Sequence, residues 1–108
     1  MIWQKAIILV EEVYLFVVSI PDDEKYGLIS QIKRCAVSIP SNIAEGAGRN
    51  SNKEFIHFLS IANGSSTELE TQLILVEKLN LSNKPIDHLF KLIFEIQKMN
   101  RALQKSLK

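Results

Sequence analysis

Residues 38–51 read SIPSNIAEGAGRNS, and the fold turns on whether this stretch is a ligand loop or a helix with awkward residues in it. Pro40 stands where a helix is already in progress, Asn42 and Glu45 follow it, and Gly46 and Gly48 then interrupt the chain. Leu28, Ile32, Cys35 or Ala36, Ile39 and Ile43 recur at helical intervals and stay in phase across Pro40. An interior proline removes a hydrogen bond, crowds the carbonyl four residues back and costs about 3 kcal/mol. A pattern in phase on both sides therefore predicts a kinked helix rather than a break. Gly46 and Gly48 are expected to end that helix, because glycine enters the left-handed region that often follows a last turn. No strand precedes the glycines, so the stretch is architecture and not a phosphate loop.

Towards the C-terminus, Ser51 and Glu54 have the spacing of a capping box, in which the serine covers one free N–H and the glutamate reaches back to another. The segment after it places Phe55, Phe58 or Leu59, Ala62, Ser66, Leu69, Leu73 and Val76 on one side. Gly64 inside it costs about 1 kcal/mol relative to alanine and is read as a point of close approach by a neighbouring helix. Ser82, Asn83 and Pro85 mark the next boundary. Beyond them Ile86, Leu89, Ile93, Ile96, Asn100, Leu103 and Leu107 alternate in threes and fours, the spacing that helix-on-helix packing requires.

Towards the N-terminus, Pro21 stops a first segment running from about Ile2 to Ser19, and Asp22, Asp23 and Glu24 read as a cap and acidic first turn for the second. On a wheel of 100° per residue, Gln4, Lys5, Glu11, Glu12 and Ser19 share an arc of roughly 120° with Ile8 and Leu15. Everything else in the segment is apolar, so it is expected to bury two faces, one in the bundle and one against a partner. Its β-branched runs lack period-two alternation and a hairpin turn, which argues against strands. The expected fold is all-α: an antiparallel up-down-up-down four-helix bundle with a kinked second helix, one domain over residues 1–108.

At 108 residues with 46% hydrophobic and 23% charged content, the chain has the profile of a folded soluble domain and not of a disordered one. A net charge of +1 gives no global electrostatic signature, but residues 89–108 carry +4, leaving −3 for residues 1–88. Cys35 is the single cysteine, which excludes an intramolecular disulfide and fits a reducing, cytoplasmic setting. Glu11 and Glu12 split the apolar run from Ala6 to Ile20, so a membrane segment is not expected.

Two sets of residues invite chemistry. Gln31, Arg34, Ser38, Asn42 and Glu45 fall together along one edge of the second segment's apolar face, with Glu68 on the third segment able to face them. They read either as a polar site or as a structural seam, a buried and satisfied network that fixes helix register; the seam is favoured, because structural networks imitate sites. On the last segment Lys91, Lys98 and Lys105 lie a heptad apart opposite the apolar seam, Arg101 and Lys108 lie on the adjoining strip, and Phe94 interleaves with them. Such a ridge can follow a phosphate backbone with the phenylalanine stacked on a base, or serve simply as a solvated face. Glu54-x-x-His57 has the spacing of a di-iron half-site but no second copy, so neither a metal nor another cofactor is expected. No serine, threonine or cysteine is paired by motif with a histidine base, and no enzymatic activity is expected.

The stretch from Gly27 to Leu75 resembles the four-helix bundle proteins named for intervening sequences in 23S rRNA genes. It does so above all in Ser38-Ile-Pro-Ser-Asn-Ile-Ala-Glu-Gly46 and in the run from Gly64-Ser through Glu68-Leu-Glu-Thr-Gln-Leu73. Trp3, Gln4, Tyr14, Pro21 and Glu24 also fit that family, and the likeness thins after Leu81. Cys35 and Ser66 depart from it, standing where a small aliphatic residue and a leucine are expected. The resemblance implies an antiparallel bundle that assembles into a ring-like homopentamer without known enzymatic activity. Related accessory proteins of diversity-generating retroelements cooperate with a reverse transcriptase and bind nucleic acid through basic surfaces. Structured RNA or DNA, a reverse transcriptase and further copies of the chain are the partners this implies, the alternative being a scaffold with no nucleic-acid role.

Overall fold

The computed structural model describes residues 1–24 and 26–108. Helices α1 (Ile2–Val17), α2 (Leu28–Ala47), α3 (Asn52–Lys78) and α4 (Asp87–Ser106) carry the chain, and no strand occurs among the described residues. Each helix packs on its neighbours in sequence and α1 closes the bundle against α4, while the diagonal pairs make no close approach. The long dimension of 43 Å matches the roughly 40 Å that α3 spans at 1.5 Å per residue. Among the described residues no helix is long and apolar enough to cross a membrane.

The interior is built from the expected stripes. Ala6, Leu9 and Val13 of α1 meet Ile32, Ala36 and Ile39 of α2, Leu59, Leu69 and Leu73 of α3, and Leu89, Ile93 and Ile96 of α4 in one buried cluster. The heptad series of α4 holds, with Asn100 buried at its fifth position and Leu103 and Leu107 packed at its edge. Asn100 is satisfied there: Nδ2 donates to the Leu59 carbonyl at 2.9 Å and Oδ1 accepts from Gln104 Nε2 at 2.6 Å. A single polar residue in an apolar seam fixes register, since sliding α4 along α3 strands it without partners.

Helix α2 runs through Pro40 without a break, and the proline ring is itself buried. The helix boundaries correct three expectations. The acidic residues Asp22–Glu24 form a separate 3-10 turn, and α2 starts only after Gly27, with no acid in its first turn. Gly48 caps the end of α2 as expected, but neither it nor Gly46 adopts a positive φ, and Gly46 lies inside α2. The left-handed position occurs instead at Asn80, φ 52°. There Leu81 N–H donates to the Val76 carbonyl and Asn80 N–H to that of Glu77, the paired bonds of a Schellman ending. At the start of α3 the capping box forms with one change. Ser51 Oγ accepts from Glu54 N–H at 3.2 Å, but the Glu54 carboxylate takes the serine hydroxyl at 3.2 Å.

The close approach expected at Gly64 falls instead at Gly46. A Cβ at Gly46 would stand 2.8 Å from Phe58 Cβ, 3.0 Å from Phe55 Cδ1 and 3.2 Å from the Phe55 carbonyl oxygen. Gly46, not Gly64, is where two helices come close. At Gly64 an added Cβ meets nothing within 4 Å. Gly46→Ala is therefore expected to destabilise the bundle by about 1–3 kcal/mol, as overpacking does. Gly64→Ala should stabilise it by up to about 1 kcal/mol through helix propensity. Thermal unfolding of the two variants decides the matter, and the opposite order would reverse the assignment.

Candidate nucleic-acid interface and polar groove

Helix α4 needs only one stripe for the core, which leaves the opposite face to solvent. Lys91, Phe94, Lys98, Arg101 and Lys105 lie there, Lys108 follows just past the helix end, and all are exposed, Phe94 at 59%. Two interleaved heptad rows, 91–98–105 and 94–101–108, run along about 25 Å of helix. None of the five cations forms an ion pair among the described residues; the α4 carboxylate of Glu95 is taken by Lys5 of α1 at 3.2 Å. The structure thus gathers every residue of the ridge onto one uncovered surface, with its charge uncompensated.

The polar stripe of α2 is not the buried network expected of it. Gln31, Arg34, Glu45 and Glu68 are exposed, and only Ser38 and Asn42 are partly buried. The wheel put these residues at the edge of the apolar face, and that edge lies at the surface of the bundle. Ser38 Oγ lies within hydrogen-bond distance of the Cys35 carbonyl and of Ser65 Oγ, and Asn42 Nδ2 donates to the Ser38 carbonyl at 2.8 Å. Glu45 pairs with Arg49 at 2.8 Å and not with Arg34. The Arg49 guanidinium also lies 3.8 Å from Glu54 and 4.7 Å from the Phe58 ring centre, covering the α2–α3 turn.

Part of the stripe does line a groove with α3, where Gln31, Arg34, Cys35 and Ser38 stand opposite Glu68 and Gln72. Asn42 and Glu45 lie outside it. Sequence reading singled out neither Ser65 nor Gln72 as a site residue, although Gln72 follows Glu68 by one helical turn and so shares its face. Among the described residues no group of three or more His, Cys, Asp or Glu is placed to hold a metal ion.

A family model described as 23S rRNA-intervening sequence protein matches residues 1–102. The chain belongs to this family. A search of curated proteins gave no match. In this chain both departures from the expected pattern are absorbed by hydrogen bonds. Ser66 is buried in the α3–α4 contact, donates to the Asn63 carbonyl at 2.7 Å and accepts from Gln97 Nε2 at 3.1 Å. Cys35 donates from Sγ to the Ser65 carbonyl at 3.0 Å and approaches Glu68 Oε1 at 3.7 Å.

Burial first, and the Glu68 carboxylate second, push the Cys35 thiol up from 9.0 to about 12. The folded state therefore holds the thiol proton more tightly than the unfolded chain does. That stabilisation is complete below pH 9 and is lost as pH rises from there towards 12. Melting curves of the wild type and Cys35→Ala should accordingly converge or cross on the alkaline side of pH 9, the wild type losing more. A constant difference across that range would contradict the placement of the thiol.

Proposed function

We propose that the protein is a non-enzymatic, homo-oligomeric accessory factor that binds structured RNA or DNA along the exposed face of α4. The observation that carries this reading is the ridge itself, five cations without an ion pair among the described residues and an exposed phenylalanine on one strip in a chain of net charge +1. About 25 Å of helix runs alongside roughly seven phosphates of one DNA strand. Phe94 stands among the cations, where a base unstacked from a loop could lie on its ring. Because the whole chain is close to neutral, affinity rests on concentrating the ridge, and a homopentamer, the assembly the family resemblance implies, would repeat it around a ring. A reverse transcriptase is the protein partner that the same resemblance brings forward, and a cytoplasmic location fits the free thiol.

A protein-only scaffold is the second reading, favoured by α1. Trp3 (44%) and Tyr14 (41%) on that helix and Val18 (83%) at its C-cap remain exposed, and Lys33 Nζ sits 5.0 Å above the Tyr14 ring. The second face expected of α1 is thus uncovered in the single chain.

Titration of labelled structured RNA and duplex DNA at several salt concentrations separates the two readings. Nucleic-acid binding should weaken with salt, with a log–log slope of up to about −4.5 if all five cations meet phosphates. The triple variant Lys98→Glu, Arg101→Glu, Lys105→Glu should lose that binding while light scattering returns the same assembly. Unchanged binding by this variant would remove the ridge as the interface, and no binding by the wild type even at low salt would favour the scaffold.

A further inference from the structure

The α2–α3 groove is lined by polar groups from both helices. Gln31, Arg34 and Ser38 face it from one helix and Glu68 and Gln72 from the other, around a space of about 330 Å³. Spacings of three and four residues bring each set onto one helix face. Arg34 has no carboxylate partner among the described residues, and Glu68 meets only the Cys35 thiol at 3.7 Å. Gln72 is only 6% exposed, and its side-chain carbonyl oxygen is buried without a hydrogen-bond partner among the described residues. Buried acceptors are nearly always paired, so an orphan beside a groove asks for a donor from outside the chain. The last torsion of a glutamine side chain is broad, which leaves the amide free to turn towards a donor that enters the groove.

We propose that this groove binds a small zwitterion with a guanidinium at one end and a carboxylate at the other. The guanidinium donates to the Glu68 carboxylate and to the Gln72 carbonyl oxygen, and the carboxylate accepts from Arg34. A guanidinium suits the α3 wall because its N–H groups diverge in one plane and reach two acceptors at once. The groove volume is at the lower end of the range that small-molecule sites occupy. The Cys35 thiol, already donating to the Ser65 carbonyl, adds an uncharged wall between the two ends. This site is separate from the α4 ridge and does not depend on nucleic-acid binding.

Isotope-labelled protein titrated with L-arginine, and in parallel with agmatine, which keeps the guanidinium and lacks the carboxylate, tests the assignment. L-arginine should shift the Gln72 side-chain amide resonances saturably, with a Kd on the order of 1 mM, and agmatine should bind more weakly. Arg34→Gln should abolish the preference for arginine over agmatine. Glu68→Gln should weaken both by roughly tenfold or more, the loss expected for a charge-assisted hydrogen bond. Both substituted residues are exposed, so both variants retain the fold. Absence of a saturable shift at Gln72 with either probe, or arginine binding that survives unchanged in both variants, would overturn the proposal.

Discussion

The absence of a side chain at position 46 sets how α2 meets α3. The backbone of α2 lies against Phe55 and Phe58 closely enough that even a methyl group has no room. Contact at the turn end aligns the two helices along their length, and the groups further down the seam are cut to that distance. The Cys35 thiol reaches the Ser65 carbonyl and Ser38 reaches Ser65, so small polar side chains cross-link the pair where bulkier ones would hold it apart. Arg49 closes the same end from outside by pairing with Glu45 and lying over Phe58. The other two helices complete the core on this paired unit.

What α4 contributes follows from how little the bundle asks of it. Its apolar stripe fills the core, Asn100 fixes its register on α3, and Lys5 with Glu95 ties it to α1 at a partly exposed position where an ion pair contributes little stability. The remaining face has no structural duty, yet it carries five cations and a large aromatic ring. Scattered cations on a solvated face would serve solubility equally well, and alternating signs would serve it better. Concentration of one sign along one strip is the feature that points to a polyanionic partner.

Much of this was legible in the sequence, and the errors have identifiable causes. Helical phase across Pro40, the heptads of α4 and the capping box at Ser51 each report local geometry or a single packed face, and each reappears in the structure. The glycines were misassigned because the sequence does not say where two helices cross, so Gly46 was placed at a helix end and Gly64 at the crossing. A signal was nonetheless present, since Gly46 continues the buried series through Ile39 and Ile43 whereas Gly64 falls outside the series through Ala62 and Ser66. The polar stripe failed as a buried network because a wheel places Arg34 and Glu45 on an edge without saying whether the neighbouring helix covers that edge. Gln72 entered the sequence reading only within the family-like run ending at Leu73, and its burial without a hydrogen-bond partner among the described residues is what distinguishes it.

Backbone amide mapping during titration with a structured RNA tests the central claim most directly, that the bundle turns one unburdened helix face towards a polyanion. The account predicts shifts concentrated between Lys91 and Lys108 at low salt, fading as salt is raised, with the α2–α3 seam unmoved. Shifts centred on α1 or α2, or none at all, would contradict it.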